Sequence, residues 1–234
     1  MFLSHRSHWA GGHINMITMD LNEIAKLLKS YNSNIGDEQG DHVLNPHNKR
    51  RSADEPLKPA AVLVPLVNRD AGPTVLFTQR TDHLDHHPGQ VSFPGGHVDK
   101  GDTSAEETAL RETDEEVGIH RRHIQLIGRI DTYLTSTGFS VTPVVGLIEP
   151  PFEINPDPVE VAEVFEVPLS FLFDAANHSR VIYSKDNEHW DTYDMPYNRY
   201  RIWGVTAGMF RNFYEIIAGD DAQPATILDR KQAI

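Results

Sequence analysis

No cysteine occurs in the 234 residues, which excludes disulfides, zinc–thiolate centres and cysteine nucleophiles and fits a reducing compartment. Positive charge is scarce too. Lys and Arg number 21 against 34 Asp and Glu, for a formal charge of −13, so no broad basic face is on offer to a nucleic-acid backbone. A polyanionic ligand must be met locally, by metal ions and a few cationic side chains. No apolar run approaches the roughly 18 residues of a membrane span, and residues 1–20 lack the apolar core of a signal peptide. The sequence therefore predicts a small-molecule ligand rather than nucleic acid or membrane, in the cytoplasm. Nothing in it calls for two hydrophobic cores. Assembly is left open, with a homodimer among the options.

The chain is organised around residues 90–119. Val91 and Phe93 belong to a short apolar strand, Pro94-Gly95-Gly96 breaks it, and a helix begins after Asp102, Thr103 or Ser104 that Gly118 can close. On a 3.6-residue wheel Ala105, Ala109, Glu112 and Glu116 share one sector, Glu115 lies beside it, and Leu110, Thr113 and Val117 form a neighbouring apolar stripe. Arg111 stands four residues from both Glu107 and Glu115, whereas Glu112 and Glu116 have only each other at that spacing. Like charges so placed cost a helix roughly 0.2–0.5 kcal/mol, so a cation is wanted there. A solvated charge-rich helix is the plain alternative. The diglycine turn favours a metal site, because backbone carbonyls near the helix start can join carboxylates in the all-oxygen cluster that Mg²⁺ or Mn²⁺ prefers.

The pattern Gly96, Asp102, then Arg111-Glu112-x-x-Glu115-Glu116-x-Gly118-Ile119 resembles the signature of the Nudix hydrolases. Its loop is one residue longer than the commonest Nudix spacing, with Asp102 where a glutamate is usual. That longer loop, the upstream stretch Leu76 to Thr81, Gly89, and Phe93-Pro94-Gly95-Gly96 are similar to the coenzyme A pyrophosphatase branch, as are the strings at 164–169 and 202–207. The resemblance spans roughly residues 59–217. It implies an α/β fold, a Nudix-type α/β/α sandwich with a mixed β-sheet. It also implies metal-dependent hydrolysis of a diphosphate linkage, most specifically coenzyme A or acyl-CoA cut to 4′-phosphopantetheine (or its acyl form) and adenosine 3′,5′-bisphosphate. Under it Glu112, Glu115 and Glu116, with the Gly96 carbonyl, would hold the metal, and Arg111 would orient them. Arg80, Gly95, His83 and His87 would lie near substrate phosphates. One departure is Asp85, where that branch usually has an arginine; it favours an alternative, an ADP-ribose or NADH pyrophosphatase. A nucleotide-binding regulator without turnover is a third reading, against which the intact glutamates argue.

The rest of the chain divides by composition. Residues 1–19 read as a mobile N-terminal extension, and 20–58 as an N-terminal helix capped by Asp20 followed by a linker with the basic run Lys49-Arg50-Arg51. Residues 59–218 are the expected hydrolase domain and 219–234 a C-terminal tail. Within the domain, 59–67 and 74–80 are predicted strands, as are 123–133 and 139–149 around the polar turn Thr135-Ser136-Thr137-Gly138. Such a turn can bind phosphate, although capping itself is the commoner use. Strands at 181–184 and 199–203 are expected to flank an irregular excursion, and 205–217 to form the last helix. His83 and His87 stand at i, i+4, a zinc-compatible spacing with no third ligand evident. Glu160 and Glu163, ahead of a short helix near 170–176, are held as further candidate ligands or bases.

Overall fold

The computed structural model describes residues 20–31, 39–47, 56–84, 87–185 and 188–230. The N-terminal extension, the basic run at 49–51 and Asp85 lie outside the described residues. In chain order the elements are α1 (Leu21–Ser30), β1 (Gln39–Gly40), α2 (Asp41–Leu44), β2 (Lys58–Val67), β3 (Thr74–Arg80), β4 (Val91–Ser92), β5 (Gly95–His97), α3 (Ala105–Val117), β6 (Ile124–Arg129), β7 (Tyr133–Leu134), β8 (Phe139–Ile148), β9 (Val161–Pro168), α4 (Leu169–Leu172), β10 (Ser179–Lys185), β11 (Glu188–Tyr197), β12 (Tyr200–Trp203), α5 (Gly204–Ala218) and β13 (Thr226–Arg230).

The centre is a mixed sheet in which β2 runs parallel to β8 through ten residue pairs, from Lys58↔Phe139 to Val67↔Ile148. Both strands are apolar on both faces, as burial from two sides requires. Alternation divides them: Ala61, Leu63, Val67, Val144 and Ile148 face a cluster with Ala109, Leu110 and Val117 of α3. Val64, Leu66, Val145 and Leu147 face a larger cluster with α1 and the aromatics of α5. The sheet is thus sandwiched between α3 and the pair α1 and α5, the expected α/β/α arrangement.

On its other side β2 is shared. Its last residues pair with β3 (Leu66↔Val75, Val67↔Thr74) and its first with β5 (Ala60↔His97, Val62↔Gly95). β3 meanwhile turns to β4 and β9. β2 and β3 therefore diverge, and the wedge between them is filled by the run from β4 through Phe93 and Pro94 to β5, with the Pro94 carbonyl accepting from the Leu63 N–H at 2.9 Å. The diglycine, read from the sequence as a break, is in fact strand. Gly95 fits there because a Cβ would stand 2.4 Å from the Ala61 carbonyl oxygen.

α3 begins and ends where its capping residues predict. Ser104 accepts from the Glu107 N–H, and Gly118 closes the helix at φ 75°, a conformation glycine takes without steric cost. Asp20 likewise caps α1 in a reciprocal capping box with Glu23.

Three other expectations are corrected. The stretch after α1 is not linker throughout, since β1 pairs with β7 and Asn45 exchanges hydrogen bonds with the Asp191 backbone. The excursion between the last two strands contains β11, ten residues paired with β10 and β12. The expected tail carries β13, parallel to β10, so a separate sheet of order β12-β11-β10-β13 forms, in contact with α5 and β4. Among the described residues no helix is long and apolar enough to cross a membrane.

Candidate active site

α3 lies over the wedge, in contact with β2 and β5. Its buried side includes Thr108, Ala109, Leu110, Thr113, Val117 and, among these uncharged residues, Glu116. Glu116 is only 6% exposed. Its Oε2 accepts the Gly95 N–H at 3.1 Å, a donor that β5 thus gives to the helix rather than to β2. One turn earlier Glu112 sits directly over Gly96, where an added Cβ would come within 2.6 Å of the carboxylate. The two glycines therefore have separate reasons: Gly95 lets β5 approach β2, and Gly96 leaves room for a carboxylate.

The electrostatics of this pair are unfavourable as they stand. Burial, with the charges of Glu112 and Glu160, pushes the Glu116 carboxyl up to about 8, against the Gly95 hydrogen bond and the Arg80 charge that favour ionisation. Burial raises Glu112 as well, opposed by Arg111. Two carboxylates desolvated side by side are a costly arrangement unless positive charge arrives.

Arg111 anchors the outer side. Its guanidinium donates to both Asp102 oxygens (Nε to Oδ1 at 3.1 Å, Nη2 to Oδ2 at 2.9 Å), to the His97 carbonyl at 3.0 Å, to Glu112 at 2.8 Å and to Glu115 at 3.0 Å. Asp102 also accepts from the Thr108 hydroxyl and the Asp99 N–H. These donors, Arg111 first, hold its carboxyl well below the usual carboxylate range. One planar cation thereby fixes the loop to the helix, a geometry lysine could not copy.

The other sequence candidates separate into two groups. Arg80 ends β3 close enough to Glu116 for its charge to act there, and its Nε is buried without a hydrogen-bond partner. Glu160 acts electrostatically on both Glu112 and Glu116, and its loop is pinned to the end of α3 by Asn155 N–H to Val117 O and Asp157 N–H to Glu116 O. Glu163 does not join them. It takes the Tyr200 hydroxyl at 2.8 Å and the Arg199 guanidinium, on the face it shares with Phe165, opposite α3. His83 and His87 are exposed, and the His87 ring pairs with Gln90 at 3.0 Å.

Oxygen donors alone suit a hard divalent cation, and two desolvated carboxylates beside the β5 backbone fit one. Yet among the described residues no three acidic or imidazole side chains stand together in a metal-holding arrangement. Arg111 Nη1 bridges Glu112 and Glu115, and the Glu115 side chain is 60% exposed, whereas Glu116 is buried on the Gly95 N–H. What the structure brings together is a pair of glutamates over β5, with Glu115 adjacent.

A family model for the NUDIX domain matches residues 57–191. A protein of Enterobacter sp. (strain 638) described as an uncharacterized Nudix hydrolase NudL is 44% identical over 155 residues, covering 65% of this chain and 79% of its own. The protein of the same description from Photorhabdus laumondii is 40% identical over 164 residues, covering 70% and 86%. Among solved structures, a Caenorhabditis elegans Ap4A hydrolase binary complex aligns with a TM-score of 0.42 at 24% identity, over 50% of this chain and 82% of that one. The family's divalent-cation chemistry on small-molecule nucleotides agrees with an oxygen-lined cradle in an acidic protein. From the matched span and the identity to these relatives, the chain belongs to the Nudix family and is a Nudix hydrolase.

Proposed function

We propose that the protein hydrolyses the diphosphate linkage of coenzyme A or an acyl-CoA, releasing 4′-phosphopantetheine (or its acyl form) and adenosine 3′,5′-bisphosphate. The observation that carries the reading is the contact of Glu112 and Glu116 with consecutive glycines of one strand, Glu112 lying where a Cβ on Gly96 would stand and Glu116 on the Gly95 N–H. The substrate assignment is supported by Leu76 to Thr81, Gly89 and the 93–96 run; in the structure these are β3, the loop after it and the filling of the wedge.

Glu112 and Glu116 would hold Mg²⁺ or Mn²⁺, with the Gly96 carbonyl, and Glu115 would join by turning from Arg111. Bound there, the cation would neutralise diphosphate oxygens and activate the attacking water. Arg80, with a free buried Nε, would meet a phosphate oxygen, and Gly95, His83 and His87 would lie near the substrate phosphates. Arg111 positions the carboxylates through Asp102 and His97. A glutamate of α3, Glu115 or Glu116, takes the proton as the water oxygen adds to phosphorus and the bridging P–O bond breaks. We assign this chemistry to residues 59–218, with α1 and β13 as supports.

Asp85 favours ADP-ribose or NADH as the competing substrate. Purified protein incubated with Mg²⁺ and coenzyme A, ADP-ribose, NADH or dinucleoside polyphosphates, with products resolved by chromatography, decides between them. The highest kcat/KM on coenzyme A supports the proposal. A preference for ADP-ribose transfers the assignment, and no cleavage of any overturns hydrolysis of this class.

A further inference from the structure

The glutamate pair lies on the α3 face of β5, and the opposite face of the same strand carries a group that the reaction as described does not use. His97 follows Gly96 directly and its side chain is exposed. Its ring stands edge-on to Phe139, with centroids 5.1 Å apart and planes at 73°. The Lys58 ammonium lies 5.7 Å over that same phenyl ring. Strand register explains the grouping: Lys58 pairs with Phe139 and Ala60 with His97, and Lys58 and Ala60 are two apart on β2. The three side chains therefore share one face across β8, β2 and β5.

Their surroundings extend the patch. Lys58 donates its backbone N–H to Gly138 at 2.9 Å, and the Phe139 N–H goes to the Thr135 hydroxyl at 2.9 Å. The turn 135–138 is thus held against this corner, with Ser136 and Thr137 exposed. A half-buried aromatic ring flanked by an ammonium and an imidazole, beside exposed hydroxyls, has the composition that receives a base and a phosphate. Lys58 and His97 each reach the Phe139 ring, and the turn beside them also gives its Ser136 N–H to the Asp41 carboxylate at 2.7 Å. The corner is also tied to the glutamates, because the His97 carbonyl accepts from Arg111 at 3.0 Å while Gly96 underlies Glu112. The edge of β5 turned from β2 is met by α3, Glu116 taking the Gly95 N–H and Arg111 donating to the His97 carbonyl. A substrate with its diphosphate at the glutamates would pass this edge to bring its other half to the His97 face.

We propose that Lys58, His97 and Phe139 form the subsite for the nucleotide half of the substrate, the base lying against Phe139 and its phosphate met by Lys58 and His97. This rests on the reading of the protein as a nucleotide diphosphate hydrolase. The test uses the full chain with Lys58→Gln, His97→Gln and Phe139→Leu, circular dichroism confirming the fold of each; the first two residues are exposed and do not support the core. Calorimetry with Mg²⁺ and adenosine 3′,5′-bisphosphate, which undergoes no turnover, should show Kd raised about tenfold by Lys58→Gln and Phe139→Leu and severalfold by His97→Gln. KM for coenzyme A should rise in step, with the loss carried by KM rather than kcat. Wild-type affinity in all three variants, or no measurable nucleotide binding by the wild type, overturns the subsite. A wild type that binds the nucleotide through these residues but cleaves no diphosphate leaves the subsite standing and removes the hydrolase reading instead.

Discussion

Glu116→Gln should raise the stability of the metal-free protein while abolishing its activity. In the fold the Glu116 carboxyl is pushed from 4.5 up to about 8, chiefly by burial. A carboxyl raised in this way contributes its stability fully below pH 4.5, and that contribution is lost as pH rises through 8. Between those limits the displacement corresponds to about 5 kcal/mol, at about 1.4 kcal/mol per pKa unit. Some of this is recovered as the side chain relaxes, so about 3 kcal/mol is the working value at pH 8.5. Glutamine keeps an oxygen for the Gly95 N–H and never ionises. In EDTA at pH 8.5 the variant should melt about 6–12 °C above wild type, given about 2–4 °C per kcal/mol for a chain of this size. At pH 5 the two should nearly coincide. Mg²⁺ should raise the wild-type Tm by preferential binding to the folded state and leave the variant unmoved. Thermal melts by calorimetry across this pH range check every part. A variant equal to or less stable than wild type at pH 8.5 without metal would refute the claim that Glu116 is held there at a cost.

The other predictions concern what surrounds that residue. Gly96→Ala places a methyl group within 2.6 Å of the Glu112 carboxylate, and turnover should fall at least about a hundredfold with Tm little changed; near-normal kcat would show that the Glu112 position is not critical. Arg111→Lys forfeits the fork that joins Asp102, Glu112 and Glu115 and should lower kcat by about 10²-fold, a loss that steady-state assays with coenzyme A would register. Arg80→Ala should raise KM about tenfold or more if its free Nε meets phosphate, and an unchanged KM excludes that contact. Glu163→Gln, whose partners are Arg199 and Tyr200, should alter kcat less than threefold, whereas a collapse in turnover would mean that Glu163 reaches the reacting groups.

The helix and its ends were legible in the sequence because their signals are local. Ser104 and Gly118 bracket α3 by capping chemistry, and the glutamate spacing sets which carboxylates face β5. The diglycine misled, since two glycines in a row read as a bend; only the long-range partner β2 makes them a strand. β11 was hidden by Glu188, Asp191, Asp194 and Pro196, residues poor in strand propensity that are accommodated here by pairing with β10 along the first part of the strand and with β12 along the last. β13 was missed for a different reason, its partner β10 lying more than forty residues earlier. Glu160 and Glu163 looked equivalent in sequence, yet the register shift at Gln79/Arg80 and strand alternation send them to different surroundings. The cluster of Lys58, His97 and Phe139 draws on three strands and carries no motif, so only the register reveals it.

The account stands on divalent metal held by the carboxylates over β5. Crystals soaked in Mn²⁺ and measured at its absorption edge test this directly. The account predicts anomalous density ligated by Glu112 and Glu116, with Glu115 drawn from Arg111 toward the ion. Density absent there, with both carboxylates still turned to Gly95 and Arg111, would contradict it.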